Sequence, residues 1–223
     1  MMIEAHIHVL PGIDDGSNSV ETSKQMMEIL RQQGVDRIIA TPHFYAHRET
    51  DVATYLAKRE AAFDALGRPD NMRLGAEVRI EQGVSRLPGI EKLAFEGSDL
   101  ILMEFPYAKF APWMIEEVYN IADSYGLTPI IAHVHRYFDF FTEDQINRVL
   151  AMSGVIFQAN NEYLETRKEK KMIKGMLKDG YPMIFGSDAH NLKERRPNWD
   201  LLVKKTKSVY IDEAMELLRK HLD

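Results

Sequence analysis

Six of the eight histidines in this 223-residue chain stand at or near the ends of short apolar runs, and carboxylates stand at the ends of others. "EAHIHVLPGIDDG" sets His6 and His8 one residue apart with Asp14 and Asp15 close behind, and "GSDAH" sets Asp188 and His190 two apart after the apolar run "YPMIF". His43 closes "RIIATPH", His133 and His135 close "PIIAHVH", and Glu77 and Glu104 stand in "RLGAEVRI" and "LILMEFP". Imidazole with carboxylate and no thiolate suits manganese, iron or zinc, whereas magnesium and calcium prefer oxygen ligands alone. The set exceeds what one four-coordinate ion uses, so more than one ion is expected, with a carboxylate such as Glu77 available to bridge. Neighbouring cations lower the pKa of a bound water and neutralise phosphoryl oxygens during in-line displacement, so metal-assisted hydrolysis is the expected chemistry. The chain has no cysteine, which excludes a thiolate zinc site and a cysteine nucleophile.

Arginine narrows the substrate. Arg136 follows His133 and His135 directly in "HVHRY", and Arg195 and Arg196 follow His190 in "NLKERRP". A planar guanidinium fork matches phosphate oxygens, so these side chains favour a phosphoester over a neutral amide or sugar. Arg196 is preferred over Arg195 because it directly precedes Pro197.

These residues must be carried by elements that converge. Seven short apolar or β-branched runs, "IEAHIHV", "RIIATPH", "RLGAEVRI", "LILMEFP", "PIIAHVH", "VIFQANN" and "PMIFGSD", alternate with helical patterns. Their spacing of roughly 30 residues is that of βαβ units around a parallel sheet. The first helix is expected to be capped by Asn18, with Glu21 three residues on, and to end at Gly34. "ATYLAKREAAFDAL", "PWMIEEVYNIADSYG", "EDQINRVLAMSG" and "KEKKMIKGMLKDG" read as further helices. Nearly every strand ends in a metal-capable side chain, Gln158 and Asn160 included. One histidine at a strand end is more often a structural residue than a ligand, but independent structural histidines have no reason to share that position. A closed or nearly closed barrel brings all its strand ends to one mouth, whereas an open doubly wound sheet spreads them along a line. The barrel is therefore the expected architecture.

Bulk properties agree. The chain is 45% hydrophobic and 28% charged, with no linker-like stretch, so one domain over residues 1–223 is expected. A net charge of −6 disfavours nucleic acid as a partner. Neither a long apolar segment nor a leader-like start is present, so a cytoplasmic protein without stable membrane insertion is expected. The oligomeric state is not written in the sequence.

The ordered series "IEAHIHVLPGIDDG", "QGVDRIIATPHF", "LGAEVRI", "LILMEFP", "TPIIAHVHRY" and "FGSDAHN" resembles the PHP (polymerase and histidinol phosphatase) superfamily. Within it the chain resembles the bacterial manganese-dependent protein-tyrosine phosphatases of the CpsB/YwqE type, over nearly its whole length. The resemblance implies an α/β fold, a distorted (β/α)7 TIM-like barrel with three metal ions at the C-terminal ends of the strands, manganese foremost and iron or zinc compatible. It assigns His6, His8, Glu77 and Asp188 to a first ion and Glu77, Glu104 and His133 to a second. Asp15, His43 and His190 fall to a third, which leaves Asp14 to turn chemistry or to a place behind the ligands. Arg136 takes the place of a phosphate-orienting arginine, with Arg195 or Arg196 as its partner. Where the family usually reads His-Pro-Glu-Arg, this chain has His133-Val134-His135-Arg136, so His135 replaces a carboxylate and its catalytic part is open.

The activity implied is hydrolysis of protein phosphotyrosine by a metal-activated hydroxide, on the tyrosine-rich tail of a bacterial tyrosine kinase that controls capsular or extracellular polysaccharide synthesis. Its rivals are a histidinol-phosphate or other small-phosphoester hydrolase on the same barrel, a mononuclear amidohydrolase, and a non-catalytic, metal-stabilised module that docks on a kinase.

Overall fold

The computed structural model describes residues 1–222. Nine parallel strands run β1 (Met2–Ile7), β2 (Val35–Ala40), β3 (His43–Phe44), β4 (Met72–Leu74), β5 (Glu77–Arg79), β6 (Leu100–Glu104), β7 (Thr128–Ile131), β8 (Ile156–Asn160) and β9 (Met183–Gly186). They form a three-stranded ladder β1-β2-β4 and a six-stranded ladder β3-β5-β6-β7-β8-β9. The two ladders belong together: β3 follows β2 after Thr41 and Pro42, and β5 follows β4 after Gly75 and Ala76. Across the breaks Gly75 N donates to Ala40 O at 2.8 Å and Glu77 N to Pro42 O at 3.0 Å. Pro42 has no N–H for a ladder bond, and a Cβ on Gly75 would lie 2.6 Å from Phe95 Cδ1, so both breaks have local causes.

Seven strand positions result, the seven read from the sequence. The last meets the first: Ile7 bridges Ala189, Asp188 N donates to His6 O at 2.8 Å, and His8 N donates to Ala189 O at 3.0 Å. An open sheet would keep these two strands at opposite edges. The fold is a distorted TIM-like barrel, and its seam lies at the end where the candidate ligands gather.

The helices are α1 (Val20–Gln32), α2 (Val52–Leu66), α3 (Trp113–Tyr125), α4 (Glu143–Leu150), α5 (Arg167–Lys178), α6 (Trp199–Lys205) and α7 (Ser208–Leu222). The N-cap of α1 is Ser19 and not Asn18: Ser19 Oγ accepts from Thr22 N, while Asn18 Oδ1 accepts only the Thr22 hydroxyl. Gln33 closes this helix, one residue before Gly34. The four other predicted helices are present, though α4 stops at Leu150, short of Gly154, and α5 at Lys178, short of Gly180. α6 and α7 had no counterpart in the sequence reading.

Glu4 is the polar anchor of the seam. It is fully buried on β1 and accepts from His6 N (2.9 Å), Ser187 N (3.0 Å) and the Trp199 indole (2.8 Å), which ties β1 to the end of β9 and to α6. Burial pushes its carboxyl above the usual carboxylate range, against these donors. Glu4→Ala leaves three buried N–H groups unpaired beside the site and is expected to cost about 3 kcal/mol of stability, read as a lowered midpoint of denaturant unfolding.

Candidate metal centre

Each strand delivers its polar residue where the ring narrows. His6 and His8 flank Ile7 at the end of β1, His43 opens β3, Glu77 opens β5, Glu104 ends β6, and His133 and Asp188 follow β7 and β9. His133 (φ 31°) and Asp188 (φ 50°) have left-handed backbone conformations that L-residues seldom adopt. Such strain persists only where the surroundings over-determine it, and it clusters at functional sites.

Three overlapping groups of ligand atoms result, each with its atoms within 4.8 Å of one another: His6, His8, Glu77 and Asp188; His8, Asp15, His43 and His190; and His43, Glu77 and Glu104. His133 Nε2 joins the last at 2.9 Å from Glu77 Oε1 and 3.4 Å from Glu104 Oε1. All nine residues expected as ligands are thus brought together, with Glu77 shared between groups. All are buried or nearly so except Asp15, which is 69% exposed on the rim. Glu77 is 1% exposed, so it faces the interior of the cluster and not solvent.

The tautomers show what the cluster is built to face. His6 Nδ1 lies 3.1 Å from Gln158 Oε1, and that oxygen also accepts from His133 N at 2.6 Å, so His6 carries its proton on Nδ1. His8 Nδ1 donates to Asp14 Oδ2 at 2.7 Å, and His190 Nδ1 to Asp188 O at 2.9 Å. All three Nε2 lone pairs therefore point into the ring. His6 Nε2 and His8 Nε2 are 3.4 Å apart and both lie 3.2–3.5 Å from Glu77 Oε2 and Asp188 Oδ1. Glu77 Oε2, Asp188 Oδ1 and His190 Nε2 are buried without a hydrogen-bond donor. Lone pairs and carboxylate oxygens that converge without a donor require a positive charge among them, and borderline metal ions match this donor set. The residues present fit a polynuclear metal group.

Electrostatics point the same way. Burial alone would raise Asp188, but the positive charge around it, the Arg136 and Arg195 guanidinium groups included, outweighs burial and holds the carboxyl well below its ordinary range. His133 is raised to about 9: burial lowers it, and the Glu104 and Glu77 carboxylates more than compensate. The site thus keeps Asp188 ionised.

Behind the ligands stand residues that set their aim. Asp14 orients His8 and also accepts from His43 N (2.9 Å) and Gly16 N (3.0 Å), so it joins the turn to a ligand histidine. Gln158 orients His6, and its amide donates to Asn160 Oδ1 (2.9 Å), whose own amide donates to Asp188 Oδ2 (2.8 Å). Gln158 and Asn160, read from sequence as metal-capable, serve here as orienting groups. Asp14→Ala is expected to weaken metal affinity 10- to 100-fold, the usual effect of losing a group that orients a ligand histidine, as measured by equilibrium dialysis with elemental analysis.

The arginines divide. Arg136 Nη1 is 2.9 Å from Asp188 Oδ2, and its Nε and Nη2 donate to Glu162 Oε1. Arg195 Nη2 donates to the same Asp188 oxygen at 2.8 Å, and its carbonyl accepts from His190 N. Arg196 instead lines a surface depression with Glu165, Lys193 and Asn198. The sequence preference for Arg196 is therefore corrected: the turn after His190 folds back so that Arg195 faces the cluster. His135 is buried outside the three ligand groups, with neither ring nitrogen hydrogen-bonded and Nε2 3.8 Å from Glu162. Glu162 itself, singled out by no motif, pairs with Arg136.

Fold and site together define a TIM-like barrel with a shared histidine and carboxylate cluster at the strand ends. The sequence model of the family described as "Capsular polysaccharide synthesis, CpsB/CapC" matches residues 2–220, and the chain belongs to that family. It is 26% identical to tyrosine-protein phosphatase CpsB of Streptococcus pneumoniae, covering 99% of this chain and 100% of that protein. It is 29% identical to tyrosine-protein phosphatase YwqE of Bacillus subtilis strain 168, covering 87% and 79%. Among solved structures, a chain from the crystal structures of YwqE and CpsB, described as unique metal-dependent tyrosine phosphatases, superposes with a TM-score of 0.71 at 24% identity, covering 98% of this chain and 87% of that one. The phosphotriesterase homology protein of Escherichia coli, solved with phosphate in its active site, gives a TM-score of 0.56 at 14% identity over 100% and 98% of the two chains. At such identities the structural likenesses speak for the fold.

Proposed function

We propose that this chain is a metal-dependent phosphomonoesterase acting on protein phosphotyrosine, and that it holds three ions, manganese foremost with iron or zinc compatible. The observation that carries the reading is the convergence of the His6, His8 and His190 lone pairs on Glu77 and Asp188 oxygens that lack a donor. His6, His8, Glu77 and Asp188 would hold one ion, Glu77, Glu104 and His133 a second, and Asp15, His43 and His190 a third. The bound ions would lower the pKa of a water and neutralise phosphoryl oxygens.

The chain's own residues seat the ester. Arg136 is held by Glu162 on one edge and Asp188 on another, so its fork is preset at the metal cluster and loses little freedom on taking phosphoryl oxygens. Arg195 converges on the same Asp188 oxygen and provides a second guanidinium. With no cysteine in the chain, no thiolate phosphoenzyme can form. His135 is buried with neither ring nitrogen hydrogen-bonded, and burial lowers its pKa, which disfavours an imidazolium donor to the leaving group. A phenolate has a pKa near 10, far below that of an alkoxide, and departs without such help. This supports an aryl ester as substrate.

The relatives named tyrosine-protein phosphatases support the same substrate. The phosphoprotein proposed is the tyrosine-rich tail of a bacterial tyrosine kinase acting in polysaccharide synthesis, met in the cytoplasm. No helix among the described residues is long and apolar enough to cross a membrane.

The test compares kcat/KM for phosphotyrosyl and phosphoseryl versions of one peptide and for histidinol phosphate, alongside elemental analysis of the purified protein. Strong preference for the phosphotyrosyl peptide is expected. Equal or better turnover of histidinol phosphate would move the assignment to a small-molecule phosphatase, and tight peptide binding without turnover would make the protein a docking module.

A further inference from the structure

Two aromatic side chains stand side by side, partly in solvent, at the mouth of the barrel. Tyr107 is 41% exposed and Phe140 56% exposed, and their rings lie 4.8 Å apart at 57°. Tyr107 leans over His133, ring centroids 6.0 Å apart and nearly parallel at 19°, with its hydroxyl 3.4 Å from His133 Nδ1. Phe140 closes the short helical segment Val134–Asp139 that also carries Arg136. One aromatic therefore covers a candidate ligand, and the other shares a short helical segment with the arginine proposed to seat the phosphoryl group.

The pair is mounted on a buried aromatic base. Tyr137 packs edge-on to Phe105 at 5.5 Å and stacks on Phe141 at 5.5 Å and 14°, while Phe110 meets Phe141 edge-on at 5.3 Å. The Tyr137 hydroxyl accepts from Phe105 N at 2.9 Å, which ties the segment after β6, bearing Tyr107, to the segment after β7, bearing Phe140. Large apolar side chains left in water next to each other at a site mouth mark a binding surface.

We propose that Tyr107 and Phe140 form a wall against which the aryl ring of the substrate stacks, and that this wall sets the preference for aryl over alkyl phosphoesters. The inference rests on the phosphatase reading for its substrate and on the rim geometry for its residues. In an aryl phosphate the ring is bonded directly to the ester oxygen, so a phosphoryl group seated at Arg136 sets the ring at this rim. An alkyl phosphate presents no flat face there. Aromatic pairs in offset or tilted contact gain affinity beyond the area they bury.

Two measurements test this on the metal-loaded full chain. The first is calorimetric binding of phenylphosphonate against methylphosphonate, neither of which is turned over. The second is the ratio of kcat/KM for phenyl phosphate to that for β-glycerophosphate. Wild type is expected to bind phenylphosphonate more tightly than methylphosphonate. Phe140→Ala and Tyr107→Leu should each reduce that margin and the kinetic ratio by roughly tenfold, mostly through KM, with Tyr107→Phe restoring both. Phe140 is too exposed for its truncation to unfold the chain, which a melting curve verifies. A protein that turns over no phosphoester yet favours phenylphosphonate would refute the enzyme reading and uphold the wall. Equal binding of the two phosphonates by wild type, or a margin and ratio unchanged in both truncations, would overturn the wall even if the enzyme is active.

Discussion

Asp188→Ala should yield a folded protein with depleted metal and turnover lowered by more than the roughly hundredfold that loss of a merely orienting group costs. Asp188 does three things at once. Its Oδ1 faces the Nε2 atoms of His6 and His8 at 3.5 and 3.3 Å, its Oδ2 takes Arg136, Arg195 and Asn160, and its backbone N–H bonds β1 at the seam. The alanine keeps the last of these, so the barrel should survive. What is lost is one carboxylate from a shared ligand set and the common anchor of two guanidinium groups, which then repel each other and the incoming cations. Elemental analysis of the purified variant beside phosphotyrosyl-peptide turnover gives the answer, and His6→Ala should behave alike. Full turnover in chelator-stripped wild-type protein would sink the metal mechanism outright.

Arg136→Ala separates catalysis from metal binding. It removes a charge-stabilising donor without removing a ligand, so metal content should hold while kcat falls by about two to four kcal/mol of transition-state stabilisation, on the order of thirty- to a thousandfold. Lysine should rescue poorly, because the fork is already divided between Glu162 and Asp188 and a point charge cannot occupy both geometries. Near-wild-type turnover in Arg136→Ala would reduce the arginine to a structural pair with Glu162.

Much of the site is readable in one dimension because barrel topology maps strand ends onto a single mouth. Once the seven runs are recognised, His6, His8, His43, Glu77, Glu104, His133 and Asp188 need no long-range information to be grouped. Asp15 and His190 follow from their proximity in sequence to that set. Helix placement was equally local, through caps and apolar stripes, and it slipped where two capping residues adjoin, at Asn18 and Ser19.

Other residues became legible only in three dimensions. Arg195 and Arg196 are neighbours with the same chemistry, and the sequence clue beside Pro197 pointed to Arg196 whereas it is Arg195 that reaches Asp188, because the direction of each side chain depends on how the turn after His190 folds back. Glu162, Glu4 and Gln158 act through partners 26, 195 and 152 residues away, a pairing that no local pattern encodes. Tyr107 and Phe140 have no motif, and aromatic residues ordinarily signal core. By itself the sequence determined the ligand chemistry, the strand count and the absence of a thiol route, since these follow from residue type and period. Only the tertiary structure decided which lone pairs face the centre of the cluster, which arginine faces it and which rings stand in water at the mouth, because direction and exposure arise from packing between segments distant along the chain.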